Sequence, residues 1–154
     1  MNMTFRKPTK EDAEFIATWK YEGDYSFYNN DKTEAKLQWA QNIYKEDNTF
    51  VICDECDNVL GNCSFELEDN EYILGVQMNP SFTGQGSGTE FVSHILQFGK
   101  ETFNYESITL FVATFNKRAI RIYDKLGFKT TDSFIANANN EITEFVVMKK
   151  SVSR

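Results

Sequence analysis

The residues with the clearest chemistry are Thr83-Gly84-Gln85-Gly86-Ser87-Gly88. Three glycines alternate with polar residues, between a strand-like run and a helix-like one. Glycine lets the backbone approach a ligand closely and turn its N–H groups toward one point. A following helix adds its own unpaired N–H groups and the positive end of its dipole. That combination binds phosphate or pyrophosphate. Two common phosphate loops do not fit. The P-loop ends in Gly-Lys-Ser/Thr, and this turn has no lysine. The dinucleotide fingerprint needs glycine or alanine three places after its second glycine, where Thr89 stands.

The second chemical stretch runs from Asn116 to Phe128. Asn116 follows a strand and is placed to cap a helix with its side chain. Ala119 and Tyr123 are four apart, so they share a face. A small residue at 119 leaves room for a ligand, and Tyr123 projects a hydroxyl beside it. A phenol with a pKa of about 10 can protonate a thiolate of about 8–9 with modest assistance, which makes it a candidate general acid. The competing reading is a core tyrosine with a bonded hydroxyl.

These stretches need a frame to hold them. Thr4 to Lys7 reads as a first strand, and Thr9-Lys10-Glu11-Asp12 as a capping-box-like helix start. Tyr21 to Asn30 reads as irregular and aromatic, followed by a helix over 33–44. Strands are predicted at 49–53, 59–67 and 72–78, with Pro80 ending the third. A helix over 88–103, a strand over 107–113, a helix from Asn116 to before Gly127, and strands at 128–135 and 142–148 complete the order βααβββαβαββ. The expectation is one mixed α/β domain over residues 1–154, with β-helix-β spacing from Tyr72 to Ala113 suited to a crossover between parallel strands.

Together, the loop, the Asn116–Phe128 segment and the element order resemble the GNAT superfamily of N-acetyltransferases. The family's loop has the form Arg/Gln-x-x-Gly-x-Gly/Ala, and its second motif matches Asn116, Arg118-Ala119, Tyr123 and Gly127-Phe128. The resemblance implies a GNAT-like sheet, mostly antiparallel, with acetyl-CoA held between two splayed parallel strands. It implies that Val76, Gln77 and Met78 pair with pantetheine, and that Thr83 to Gly88, Asn116, Ala119 and Tyr123 bind the rest. A primary amine of a small molecule, peptide or protein would attack the thioester directly. The Met78 N–H would polarise the carbonyl, and Tyr123 would protonate the thiolate. For a general base, Tyr72 occupies the usual place with Glu71 beside it. Glu66, Glu68 and an amine deprotonated by solvent are the alternatives. Thr83 stands where the family has Arg or Gln, leaving Gln85 or Lys117 to compensate. A non-catalytic acyl-CoA-binding module with the same fold is the competing function, and a homodimer is a further implication of the resemblance.

Composition bounds the partners. The chain has 154 residues and a formal net charge of −7, which argues against nucleic-acid phosphate binding and toward cationic acceptors. In the family fold the segment between the first two helices lines the acceptor side. Here it holds Trp19, Tyr21, Glu22, Asp24, Tyr25, Phe27 and Tyr28. Asp24, Tyr25 and Tyr28 are therefore candidates to hold a cationic amine by carboxylate and cation–π contacts. No apolar run approaches the ~20 residues of a membrane span, and the N-terminus lacks a signal-peptide core. With three cysteines outside any disulfide pattern, a cytoplasmic protein is expected. Cys53-Asp54-Glu55-Cys56 has zinc-knuckle spacing but no second pair or His at ligand spacing, so no metal is expected.

Overall fold

The computed structural model describes residues 2–152. The order is β1 (Thr4–Arg6), α1 (Lys10–Ala17), α2 (Glu34–Gln41), β2 (Thr49–Cys53), β3 (Val59–Glu68), β4 (Glu71–Met78), α3 (Gly88–Phe103), β5 (Ser107–Ala113), α4 (Lys117–Lys125), β6 (Lys129–Ala138) and β7 (Glu141–Ser151). This is the expected βααβββαβαββ. Two 3₁₀ segments are added: Gly23–Tyr28 in the aromatic stretch, and Ile43–Lys45, where the second helix was expected to continue. The last two strands are longer than expected. Asn139 and Asn140 both take positive φ, which closes a two-residue hairpin and lets the pairing run on. Phe128 lies outside β6 and is fully buried.

The described residues form a seven-stranded sheet in the order β1-β2-β3-β4-β5-β7-β6. Every neighbouring pair is antiparallel except β4 and β5. Those two are paired only at Tyr72↔Ile108 and Ile73↔Thr109. Beyond that point β4 keeps β3 as its partner up to Gly61↔Met78, and β5 keeps β7 up to Ala113↔Phe145. The strands part while each stays anchored on its outer side, so the sheet opens a cleft in its middle.

The main core lies between the sheet and helices α3 and α4. Phe65, Phe91, Ile95, Ile108 and Phe128 are fully buried there. Burial of such side chains stabilises the fold by about 1.5–3 kcal/mol each. A second cluster joins Ala13, Ile16, Trp19 and Ile43 to Val51 and Cys53 of β2 and Val59 of β3. A capping box starts α1: Thr9 Oγ1 accepts from Asp12 N at 3.1 Å, and Asp12 Oδ2 accepts from Thr9 N at 2.8 Å. Arg6 adds a hydrogen bond to the same carboxylate at 2.6 Å. Burial pushes the Asp12 carboxyl up, but Arg6 and Thr9 outweigh it and hold the group below its ordinary value. Cys53 and Cys63 are buried and Cys56 is exposed.

Candidate active site

The cleft between the splayed strands is a cavity of about 360 Å³. Its walls include Leu74 to Met78 of β4, Leu110 to Ala113 of β5, and Asn116, Ala119, Ile122 and Tyr123 of the α4 region. Asn79 N–H donates to Leu60 O on β3 at 2.8 Å. Successive residues of a strand turn their backbone groups to opposite sides, so those of Met78 and Val76 face the cleft. Gln77 is turned the other way. Its side chain accepts from Asn62 at 3.0 Å and donates to Asn30 at 3.1 Å, tying the cleft floor to the segment before α2. The expectation that Gln77 pairs with a ligand through its main chain is therefore corrected, while Val76 and Met78 are placed for it.

A second cavity, of about 540 Å³, adjoins the first. Met78, Thr83, Arg118 and Ile122 line both. Gly84 and Gly86 have φ of +73° and +76°, which glycine adopts without strain. Gly88 serves differently: a Cβ there would lie 2.5 Å from Ile122 Cδ1, so its absence lets α3 pack against α4. Ser87 makes no side-chain cap to α3, which leaves the helix start without a capping side chain beside the cavity. Gln85 and Ser87 do not line this cavity, and Gln85 Nε2 donates to Ser81 O at 2.8 Å. Gln85 is thus not the substitute for the missing loop arginine, and Lys117 does not reach the wall either. Arg118, Arg121 and Lys125 do, three cations at helical spacing on one face of α4. The Arg118 Nη1 lies 3.8 Å from where a Cβ of Gly84 would sit.

Asn116 works in two directions. Its Oδ1 accepts from Ala119 N at 3.2 Å and caps α4, as expected. Its Nδ2 donates to Tyr28 Oη at 3.2 Å, fastening the aromatic segment over the cleft. Phe115 joins that segment, with its ring 5.5 Å from Phe27 and 5.7 Å from Tyr28. Tyr21 donates its hydroxyl to Met78 O. Tyr123 is 9% exposed, and its ring packs edge-on to Phe128 at 5.6 Å. Burial, with Tyr28 adding to it, pushes its phenol well above its ordinary value, so the hydroxyl stays protonated.

The candidate base and the acidic acceptor residue are not brought to this site. Glu71 opens β4 at the end where β4 and β5 are paired, while the cleft widens toward Met78. Its Oε1 accepts from Thr109 Oγ1 at 2.8 Å, and its Oε2 lies 3.7 Å from Lys149 Nζ. Glu66 and Glu68 are exposed on β3. Asp24 is exposed on the 3₁₀ segment and does not line the cleft. Tyr25 and Tyr28 do line it, but each ring faces a cation of the protein itself: Arg118 at 4.7 Å over Tyr25, and Lys36 at 6.0 Å over Tyr28.

Known proteins match this arrangement. The acetyltransferase (GNAT) domain model matches residues 2–129. The chain belongs to the GNAT acetyltransferase family. It is 26% identical over 137 residues to an uncharacterized N-acetyltransferase of Methanocaldococcus jannaschii, covering 82% of this chain and 60% of that protein. It is 26% identical over 140 residues to the uncharacterized N-acetyltransferase p20 of Bacillus licheniformis, covering 82% of this chain and 79% of that one. Its fold is that of the Vibrio cholerae spermidine N-acetyltransferase in complex with CoA and spermine, with TM-score 0.75, 19% identity, and 97% and 95% of the two chains covered. The GNAT chain is accordingly an acyltransferase by family, and its parted β4 and β5 are where the resemblance places acetyl-CoA.

Proposed function

We propose that the chain transfers the acetyl group of acetyl-CoA to a primary amine by direct attack. One arrangement carries this reading: the β4 edge stands open beside a glycine loop, with the Tyr123 phenol lining the same cleft. The diphosphate would lie against Gly84, Gly86 and the α3 start, with Arg118 supplying the guanidinium that Thr83 cannot. Pantetheine would add to β4 as a strand through Val76, since the Met78 carbonyl already accepts the Tyr21 hydroxyl. The amine nitrogen forms a bond to the thioester carbon, and the Met78 N–H holds the oxyanion. Collapse breaks the C–S bond, and the sulfur takes the Tyr123 proton. The nitrogen loses its proton to solvent, and Tyr123 regains one from there. Among the described residues no carboxylate lines the cleft, so the amine enters neutral without a dedicated base. The raised phenol pKa keeps Tyr123 protonated but makes it a weaker acid toward a thiolate of about 8–9. Its proton therefore moves only as negative charge develops on the sulfur in the same buried surroundings, which raise the thiol's pKa too.

The test is release of free CoA thiol over a panel of amines, comparing the parent with Tyr123→Phe. Release by the parent with at least one amine is expected. An absence of CoA binding at millimolar concentration would sink the reading, and binding without any thiol release would favour a non-catalytic acyl-CoA module. Among the described residues no helix is long and apolar enough to cross a membrane, and we place the enzyme in the cytoplasm. We also place a homodimer contact at β6, the sheet edge, near Ile135 and Ile142, which are 70% and 75% exposed. The acceptor is not named by the spermidine enzyme, which shares the fold at 19% identity.

A further inference from the structure

The acceptor end of the cleft has a charge pattern opposite to that of the chain. The protein carries a net charge of −7. Yet the charged side chains lining the cleft are Lys36 and Arg118, and no Asp or Glu is among the described residues there. Arg118 also lines the loop cavity, which assigns it to the diphosphate end, and its guanidinium is further engaged over the Tyr25 ring. Lys36 remains. It projects from α2 and lines the cleft beside Tyr21, Tyr25, Tyr28 and Trp39. Its Nζ donates to Tyr28 O at 3.0 Å, and it forms no ion pair with any described carboxylate. An ammonium has three donors, so two are left for a ligand.

We propose that the acceptor is an amine bearing its own anionic group, of the amino-acid type, and that Lys36 binds that anion. The proposal rests on the acetyl-transfer reading for the amine half and on Lys36 for the anion half. A part-buried cation without a counter-charge is costly, and a bound anion removes that cost. Burial, helped by Lys32, pulls the Lys36 ammonium down to about 8, as the missing partner would require. A polyamine would bring more positive charge to a wall that has no carboxylate to receive it. The surrounding rings give the anionic acceptor an apolar body to lie against, and the rings of Tyr25 and Tyr28 already face the protein's own cations.

The experiment uses the full chain loaded with CoA and two readouts. Calorimetry measures binding of amino acids, aminophosphonates and matched amines lacking the anion, including spermidine. Thiol release from acetyl-CoA is measured with the same compounds. At least one anion-bearing amine is expected to bind better than its matched amine. Lys36→Met should weaken that binding about tenfold to hundredfold, the loss of one charge-assisted hydrogen bond. Lys36→Arg should restore most of it, and a thermal melt checks that the variants fold. Stronger binding of spermidine than of every anion-bearing amine would overturn the proposal. So would binding that Lys36→Met leaves unchanged, or no binding by any anion-bearing amine. Lys36-dependent binding with no thiol release would leave the anion site standing and remove the transfer reading instead.

Discussion

Asn116 offers a direct measure of how the two halves of the cleft are joined. Its Oδ1 caps α4 through Ala119 N, and its Nδ2 bonds Tyr28 Oη, each at 3.2 Å. Asn116→Ala removes both. Losing a side-chain N-cap costs about 1 kcal/mol, and losing the Tyr28 bond about 0.5–1.5 kcal/mol. The sum is about 1.5–2.5 kcal/mol, and for a chain of this size each kcal/mol lowers Tm by roughly 2–4 °C. Tyr28→Phe removes only the second bond and leaves the cap intact. In a double-mutant cycle read by denaturant unfolding, the two changes should therefore couple by about 0.5–1.5 kcal/mol. Amine turnover supplies a second axis: both single variants should raise KM for the acceptor, while Tyr28→Phe leaves CoA affinity within about twofold. Strict additivity of the two changes would refute the reasoning, because it would mean the Tyr28 link carries no energy. An unaltered acceptor KM in Tyr28→Phe would refute the claim that the link positions the acceptor wall.

Three further outcomes are expected. Tyr123→Phe should lower kcat by about 10²–10⁴-fold in the thiol-release assay with CoA affinity little changed, and an unaltered kcat removes its role as the acid. Arg118→Ala should weaken CoA binding about tenfold or more by calorimetry, whereas Gln85→Ala and Lys117→Ala should stay within about twofold; the reverse order would return the compensating role to the loop. Asp12 has a carboxyl held below its ordinary value in the fold, so its contribution is complete above the unfolded pKa of about 3.9 and is lost as pH falls through the lower folded value. Urea midpoints followed from pH 6 downward should thus fall less steeply in Asp12→Asn than in the parent, and parallel curves would show that the Arg6 and Thr9 contacts do not shift this group.

The geometry of the proposed donor half was legible because it depends on backbone. Alternating glycines before a helix dictate open N–H groups wherever the chain packs, and Asn116 after a strand is a local signal. Arg118, Arg121 and Lys125 were legible in principle, since a spacing of three and four puts them on one face of α4. Missing was the knowledge that this face looks at the loop. The acceptor half depends on which way α2 and the 3₁₀ segment turn, and that is decided by packing. Trp19 and Phe27 face the core, Asp24 faces solvent, and Lys36 enters the cleft. No local pattern separates Lys36 from its exposed neighbours on the same helix. Glu71 was misplaced for a related reason. Its sequence distance from the loop fits a base, but the paired end of β4 lies away from the opening.

The two lone residue pairs between β4 and β5 make the sheet two sheets joined at a seam. One half holds β1 to β4 and the other β5 to β7, each with continuous hydrogen bonding of its own. A pantetheine arm laid along β4 would act as a missing rung across that seam. Stability should then rise with cofactor concentration, by about 2.7 kcal/mol at a hundredfold excess over Kd. Amide exchange at Val76 and Met78 would slow most, since their N–H groups face the opening. The open edge is thus where the sheet is least cross-linked, and a cofactor bound as proposed would close it.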